Sequence, residues 1–229
     1  MSKDQSLDNL WLARVLHDLG AVRFGDFTLG ESTVNSPVYI NPKVLIGNPT
    51  ALRVAAKLMV QEVELAQSRR RSQVQRYDIV AGVPVGGLLL AMAYSMESVV
   101  PLIYPRMQVE GTGHPGVEGR FIPGMRALLI DDLITGGSSV IKTATFLKQH
   151  DIEVVDVVVL IDRQMGARSR LKHMGMHLTS ILSLDVMMNL YHNEGLISDA
   201  EFDRYVAYAA ANQRASADDS FPNPSSGDA

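Results

Sequence analysis

Cysteine is absent from the 229 residues, so disulfides, thiol nucleophiles and cysteine-ligated metal sites are excluded. No apolar run approaches the roughly 20 residues that cross a bilayer. The polar start MSKDQSLDN also lacks the apolar segment of a secretory signal. A cytoplasmic location with no membrane partner is therefore expected. Surplus positive charge is missing too, the net charge being -4. Sequence-independent affinity for DNA comes from excess Lys and Arg facing phosphates, so no nucleic-acid partner is expected.

With 46% hydrophobic and 20% charged residues, the chain can bury the core of one large α/β domain, placed at 1–214. Leu10, Leu12, Val15, Leu16 and Leu19 recur at helical spacing over 9–20, with Gly20 as a C-cap. Residues 21–49 read as short strands and turns, and 50–64 as a second helix. The basic run SRRRSQVQR at 68–76 reads as a solvated helix end or loop in preference to a binding patch. Then come a buried strand at 77–83, a VPVGG turn, a helix LLLAMAYSM and a strand at 99–104. Residues 105–124 are rich in glycine and proline and have no period, as in a functional loop or lid. Further strands are expected at 125–130, 154–161 and 177–184, the last of the set, with a helix at 138–150. Strands alternating with helices give a mainly parallel sheet covered on both faces. The Ser, Asp, Pro and Gly of 215–229 predict a disordered tail.

Chemistry concentrates in RALLIDDLITGGSSVIKTA at 126–144, where an apolar strand ends in two carboxylates and a hydroxyl-rich glycine turn opens a helix. Glycines let the backbone approach an anion, hydroxyls add donors, and a helix N-terminus presents free N–H groups with a favourable dipole. A phosphate can therefore sit at 135–139. Asp131 and Asp132 can accept hydrogen bonds from a ribose diol while lying close to C1, where positive charge develops as a leaving group departs. The chain holds no GxxxxGKS or GxxxxGKT Walker string, and the segment lacks the GxGxxG spacing of a dinucleotide site.

IDDLITGGSS at 130–139 resembles the phosphoribosyl-pyrophosphate (PRPP) motif of type I phosphoribosyltransferases. Within that family the chain is similar to the orotate phosphoribosyltransferases, including the domain found in UMP synthase, in the same order from about 12 to 205. The resemblance implies the type I fold, a mainly parallel sheet with helices on both faces and an N-terminal hood formed mainly by 20–49. It implies that PRPP is held by Asp131, Asp132, Leu133, Ile134, Thr135, Gly136, Gly137, Ser138 and Ser139. DIVAGVPVGGLLLA at 78–91 resembles the pyrophosphate-loop region, with Val85 and Gly86 at its tip. GAVRFGDFTLGESTVNSPVYIN at 20–41 resembles the hood, which puts Tyr39 and Ile40 against the orotate ring. VVDVVVLIDRQMGA at 154–167 resembles the strand whose end carries an orotate-contacting arginine, here Arg163, and Thr135 joins the same base site. An arginine just past a buried strand suits recognition of a carboxylate, the alternative being an ion pair with Asp162 or a neighbour. The resemblance further implies magnesium bound mainly through PRPP, and a homodimer in which the loop is shared across subunits.

The chain departs from that pattern in its loop. The family's loop begins Arg-Lys and carries a further Lys and a His, whereas YPRMQVEGTGHPGVEGRF at 104–121 has no lysine. The place of the main catalytic lysine falls on Val109 or Glu110. Arg106 is the retained cation, with His114 and Arg120 as substitutes, and Arg106 and His114 join the aspartates as catalytic candidates. The hood's phosphate-binding lysine is replaced around Gly30 and Glu31, leaving Lys43 as the nearest cation. Loss of a loop cation removes transition-state stabilisation and predicts slow turnover. Two alternatives follow: a phosphoribosyltransferase for another base, or a catalytically weakened sensor of PRPP or nucleotide.

Overall fold

The computed structural model describes residues 7–29, 33–70, 73–107 and 116–218. Helix α1 (Asn9–Asp18) is capped by Asp8, whose side chain accepts from the Trp11 N–H. Gly20, at φ 70°, takes the left-handed turn that leads into a two-stranded antiparallel hairpin, β1 (Val22–Leu29) and β2 (Thr33–Ile40). A 3-10 turn, Pro42–Gly47, leads into α2 (Pro49–Ser68).

The main sheet follows as β3 (Ile79–Gly82), α3 (Gly86–Ser98), β4 (Leu102–Arg106), β5 (Gly116–Glu118), β6 (Arg126–Ile134), α4 (Ser138–Lys148), β7 (Glu153–Asp162), α5 (Ala167–His173) and β8 (His177–Ser183). Helices α6 (Leu184–Asn193) and α7 (Asp199–Asp218) complete the described chain. Strand order is β5-β4-β3-β6-β7-β8, parallel throughout except for β5. Strands β6 and β7 are apolar runs buried on both sides, as parallel strands covered by helices must be. One core, with Leu12, Leu16, Met59, Tyr94 and Leu128, fills the side of α1, α2, α3 and α6. A second, with Leu129, Leu147, Val157 and Leu171, lies under α4 and α5.

The chain leaves β3 toward β4 on one side and β6 toward β7 on the other, so the topology switches between β3 and β6. Ligands of open α/β sheets bind at such a point, beyond the carboxyl ends of the strands. Strand β3 stops with Gly82 opposite Ile130, whereas β6 continues along β7 to Ile134 opposite Asp162.

The sequence reading therefore ends β6 too early: Asp131 and Asp132 lie within the strand, because β7 continues to pair with it. The expected loop at 105–124 contains a short strand, β5, paired with β4 from Tyr104↔Glu118 to Arg106↔Gly116. Helices α5, α6 and α7 were not foreseen. Helix α7 runs to Asp218, into the first residues of the tail expected at 215–229; residues 219–229 lie outside the described residues. Among the described residues no helix is long and apolar enough to cross a membrane.

Leu128, fully buried at the centre of β6, tests this core. Leu128→Ala is expected to cost about 2–5 kcal/mol in urea unfolding. Leu65→Ala, at a site 57% exposed, should change stability by less than about 0.5 kcal/mol.

Candidate active site

The acid pair sits where β6 loses its β3 neighbour, against the start of α3. A side chain at Gly86 would place its Cβ 2.4 Å from Asp132 Oδ2, and one at Gly87 would lie 2.5 Å from the Ile130 carbonyl oxygen. Only glycine permits this approach, which explains the GG of the VPVGG turn. Val85, at the tip, is exposed, and the Pro84-Val85 peptide bond is cis. Asp132 Oδ2 meets Lys43 Nζ of the 3-10 turn at 2.9 Å, an ion pair whose angle falls outside hydrogen-bond geometry. Asp131 Oδ1 accepts from the Asp132 N–H at 2.9 Å. Both carboxylates are buried. Burial pushes the Asp131 carboxyl well above the usual carboxylate range; the Asp132 charge adds to the shift and Lys43 opposes it.

Beyond the acids, 135–140 wrap a cleft of about 240 Å³ that Asp131, Leu133 and Ile134 also line. Gly137, at φ 81°, makes the left-handed turn that starts α4, and the Ile141 N–H donates back to its carbonyl at 2.9 Å. The N–H groups of the first turn of α4 have no acceptor within the helix, and the dipole makes that end electropositive. Ser138 and Ser139 are exposed there, Thr135 half-buried. Arg170 of α5 donates from Nη1 to Ser138 Oγ at 3.1 Å and to the Gly136 carbonyl at 3.4 Å. The result is an anion cradle of neutral donors with one guanidinium at its edge.

A second cluster is built by the hairpin and the end of β7. Arg163 is buried, and its Nη2 donates to Ser36 Oγ at 2.8 Å and to the Val38 carbonyl at 3.3 Å, both on β2. Its Nε has no hydrogen-bond partner among the described residues. Burial draws the guanidinium pKa down from its ordinary value, opposed by Tyr208 and Tyr205 of α7. Asp162, the alternative partner suggested by sequence, instead accepts from the Gln164 N–H at 2.7 Å and faces Arg168 at 3.5 Å. Tyr39 packs against Phe27, ring centroids 5.5 Å apart, while Ile40 is buried in the core.

The structure thus brings Asp131, Asp132, the 133–139 segment, Gly86 and Lys43 to one end of β6, and Arg163 to the hairpin that carries Tyr39. Arg106 is held by Glu118 of β5 at 3.0 Å and, among the described residues, makes no ion pair with the cradle. His114, Val109, Glu110, Gly30 and Glu31 lie outside the described residues. Lys43 is engaged by Asp132, so its charge is directed at the acids and not at the hood. Sequence reasoning missed Gly87, Ser36 and Arg170. The doubled glycine was a signal for the first; ARSRLKH at 167–173 gave none for Arg170 until its helix was known to pack beside the cradle.

Three comparisons bear on this arrangement. Residues 48–186 match the model of the phosphoribosyl transferase domain. The chain is 36% identical over 190 residues to an orotate phosphoribosyltransferase of Pyrococcus abyssi, covering 82% of this chain and 98% of the relative. To that of Cenarchaeum symbiosum it is 38% identical over 184 residues, covering 80% and 88%. The solved UMP synthase of Leishmania donovani superposes with a TM-score of 0.78 at 31% identity, over 89% of this chain and 42% of that one. An acid pair beside an anion cradle, on this sheet and with these relatives, leads to one conclusion: the chain belongs to the phosphoribosyltransferase domain family and, within it, to the orotate phosphoribosyltransferases.

Proposed function

We infer that this enzyme transfers the phosphoribosyl group of PRPP to orotate, giving orotidine 5-monophosphate and pyrophosphate, in pyrimidine biosynthesis. The observation that carries the reading is the acid pair at the unpaired edge of β6, one residue pair away from the cradle. The 5-phosphate rests on 135–139 and the ribose diol on Asp131 and Asp132. As the bond from C1 to the pyrophosphate oxygen breaks, its electron pair leaves with pyrophosphate. A ring nitrogen of orotate donates its own pair to C1 and gives up its proton, which leaves with the pyrophosphate. The carboxylates stabilise the positive charge that develops on the sugar between these events. No covalent enzyme intermediate is needed. Orotate lies between the hairpin and Arg163, whose guanidinium suits its carboxylate.

Two adjacent carboxylates beside an anion cradle fit a magnesium ion carried by phosphate oxygens and not one caged by protein. Bound in that way it would neutralise the leaving pyrophosphate, which matters more where the loop supplies no lysine. A cytoplasmic location belongs to the same reading.

A homodimer is supported by α3. Its mean composition is apolar on all faces, as in a buried helix, yet Leu89, Met92 and Met96 form an exposed stripe at helical spacing, continued by Val85 and Val99. Met96 is 77% exposed and Val99 88%. A second copy of the chain is the proposed cover, which also brings the start of the 105–124 loop near a neighbour.

Three results are expected. Asp132→Asn lowers kcat by about 10²–10³-fold with little change in melting temperature, followed as absorbance loss of orotate with magnesium present. Arg163→Ala raises the KM for orotate about tenfold or more, and loosens the hairpin through Ser36. Turnover of another base in a panel, with none of orotate, would overturn the assignment. Met92→Glu with Met96→Glu yields a monomer by sedimentation, whereas an unchanged sedimentation coefficient would rule out that face.

A further inference from the structure

We propose that Arg170 is a binding residue for the 5-phosphate of PRPP, supplying at the edge of the cradle a positive charge that the loop itself lacks. The proposal rests on the reading that 135–139 hold that phosphate. The cradle is made of backbone N–H groups and hydroxyls, all neutral, whereas the ligand is a dianion or close to it. Arg170 Nη1 stands 3.1 Å from Ser138 Oγ and 3.4 Å from the Gly136 carbonyl, so the guanidinium borders the space that an anion bound by Ser138 occupies.

The contact also sets a direction. A hydroxyl has one donor and two acceptor sites. With the guanidinium donating to one lone pair, the Ser138 proton is left to point elsewhere, and the cradle is where an acceptor is wanted. Arg170 and Ser138 thereby act on the phosphate together, one by charge and one by an oriented hydrogen bond.

The placement is built. Gly137 has no side chain, and a Cβ there would come 3.7 Å from Ala167 Cβ and from Leu171 Cγ, both buried faces of α5. Ala167 and Arg170 are three apart, so docking α5 by Ala167 and Leu171 delivers Arg170 to the rim. The neighbouring Arg168 is spent on structure, donating to the Leu178 carbonyl at 2.6 Å and facing Asp162. Arg170 has no carboxylate partner among the described residues and is exposed, so its charge is available to a ligand.

Arg170→Gln and Arg170→Lys decide the matter. The glutamine variant should raise the KM for PRPP about tenfold with kcat within about twofold, the size expected for one charge-assisted contact. It should also lose most of the rise in melting temperature that inorganic phosphate gives the unchanged protein, and lysine should restore part of both. A glutamine variant with the same KM for PRPP and the same phosphate-induced rise overturns the role of Arg170 while the cradle stands. If phosphate does not raise the melting temperature of the unchanged protein, the cradle reading and the role of Arg170 fall together. A variant that melts lower without phosphate, with PRPP KM unaltered, makes Arg170 a strut of α5 and overturns the proposal as well.

Discussion

The site depends on a mismatch in length between neighbouring strands. β3 stops at Gly82 beside Ile130, while β6 is carried on by β7 for another full pairing segment. Two carboxylates could not stand in the middle of a parallel sheet covered on both faces without a heavy desolvation cost. Here they stand where one flank of the strand is vacated. The space so created is bordered by the glycines that open α3, and any side chain at 86 would collide with Asp132. Burial remains considerable, as the raised Asp131 carboxyl shows, and Lys43 offsets part of it through Asp132.

Around that gap, two pieces of chain carry the groups proposed to meet the substrate: the contiguous segment 131–139, with the acids and the cradle, and Arg163 just past β7. In the proposed reading, neutral donors and a helix dipole would meet the phosphate, carboxylates the cationic sugar carbon, and a buried guanidinium the acidic base. The acids and Arg163 are fixed at strand ends, and the 135–139 turn is fixed between β6 and α4. Such preorganisation is what lets electrostatics contribute to rate with little rearrangement at the moment of reaction.

Much of this was legible in the sequence, and for a physical reason. IDDLITGGSS carries its chemistry in contiguous residues, so strand, acids, turn and helix start are read together. The alternation of buried strands with helices was likewise local. What escaped was whatever depends on packing between distant segments. The end of β6 was misplaced because acidic residues read as a strand boundary, and only pairing with β7 shows otherwise. Arg163 reads as a residue past a strand, but its bonds to Ser36 and Val38 require the hairpin to fold 127 and 125 positions back. Start signals do stand in the sequence of α6 and α7, where Ser183 accepts from the Val186 N–H and Ser198 and Glu201 cap each other. The short α5 has no side-chain cap, and with α5 unseen, Arg170 had no address.

One contact joins the two ends of the described chain. Arg163 lies under the early strand β2 on one side and under Tyr205 and Tyr208 of the final helix on the other, and Arg204 of that helix also reaches Asp26 of β1 at 2.5 Å. Opening of the hairpin would therefore also loosen the first half of the last helix, around residues 204–208. Amide protons in both should exchange with solvent at linked rates, and a ligand that grips the guanidinium slows them in step.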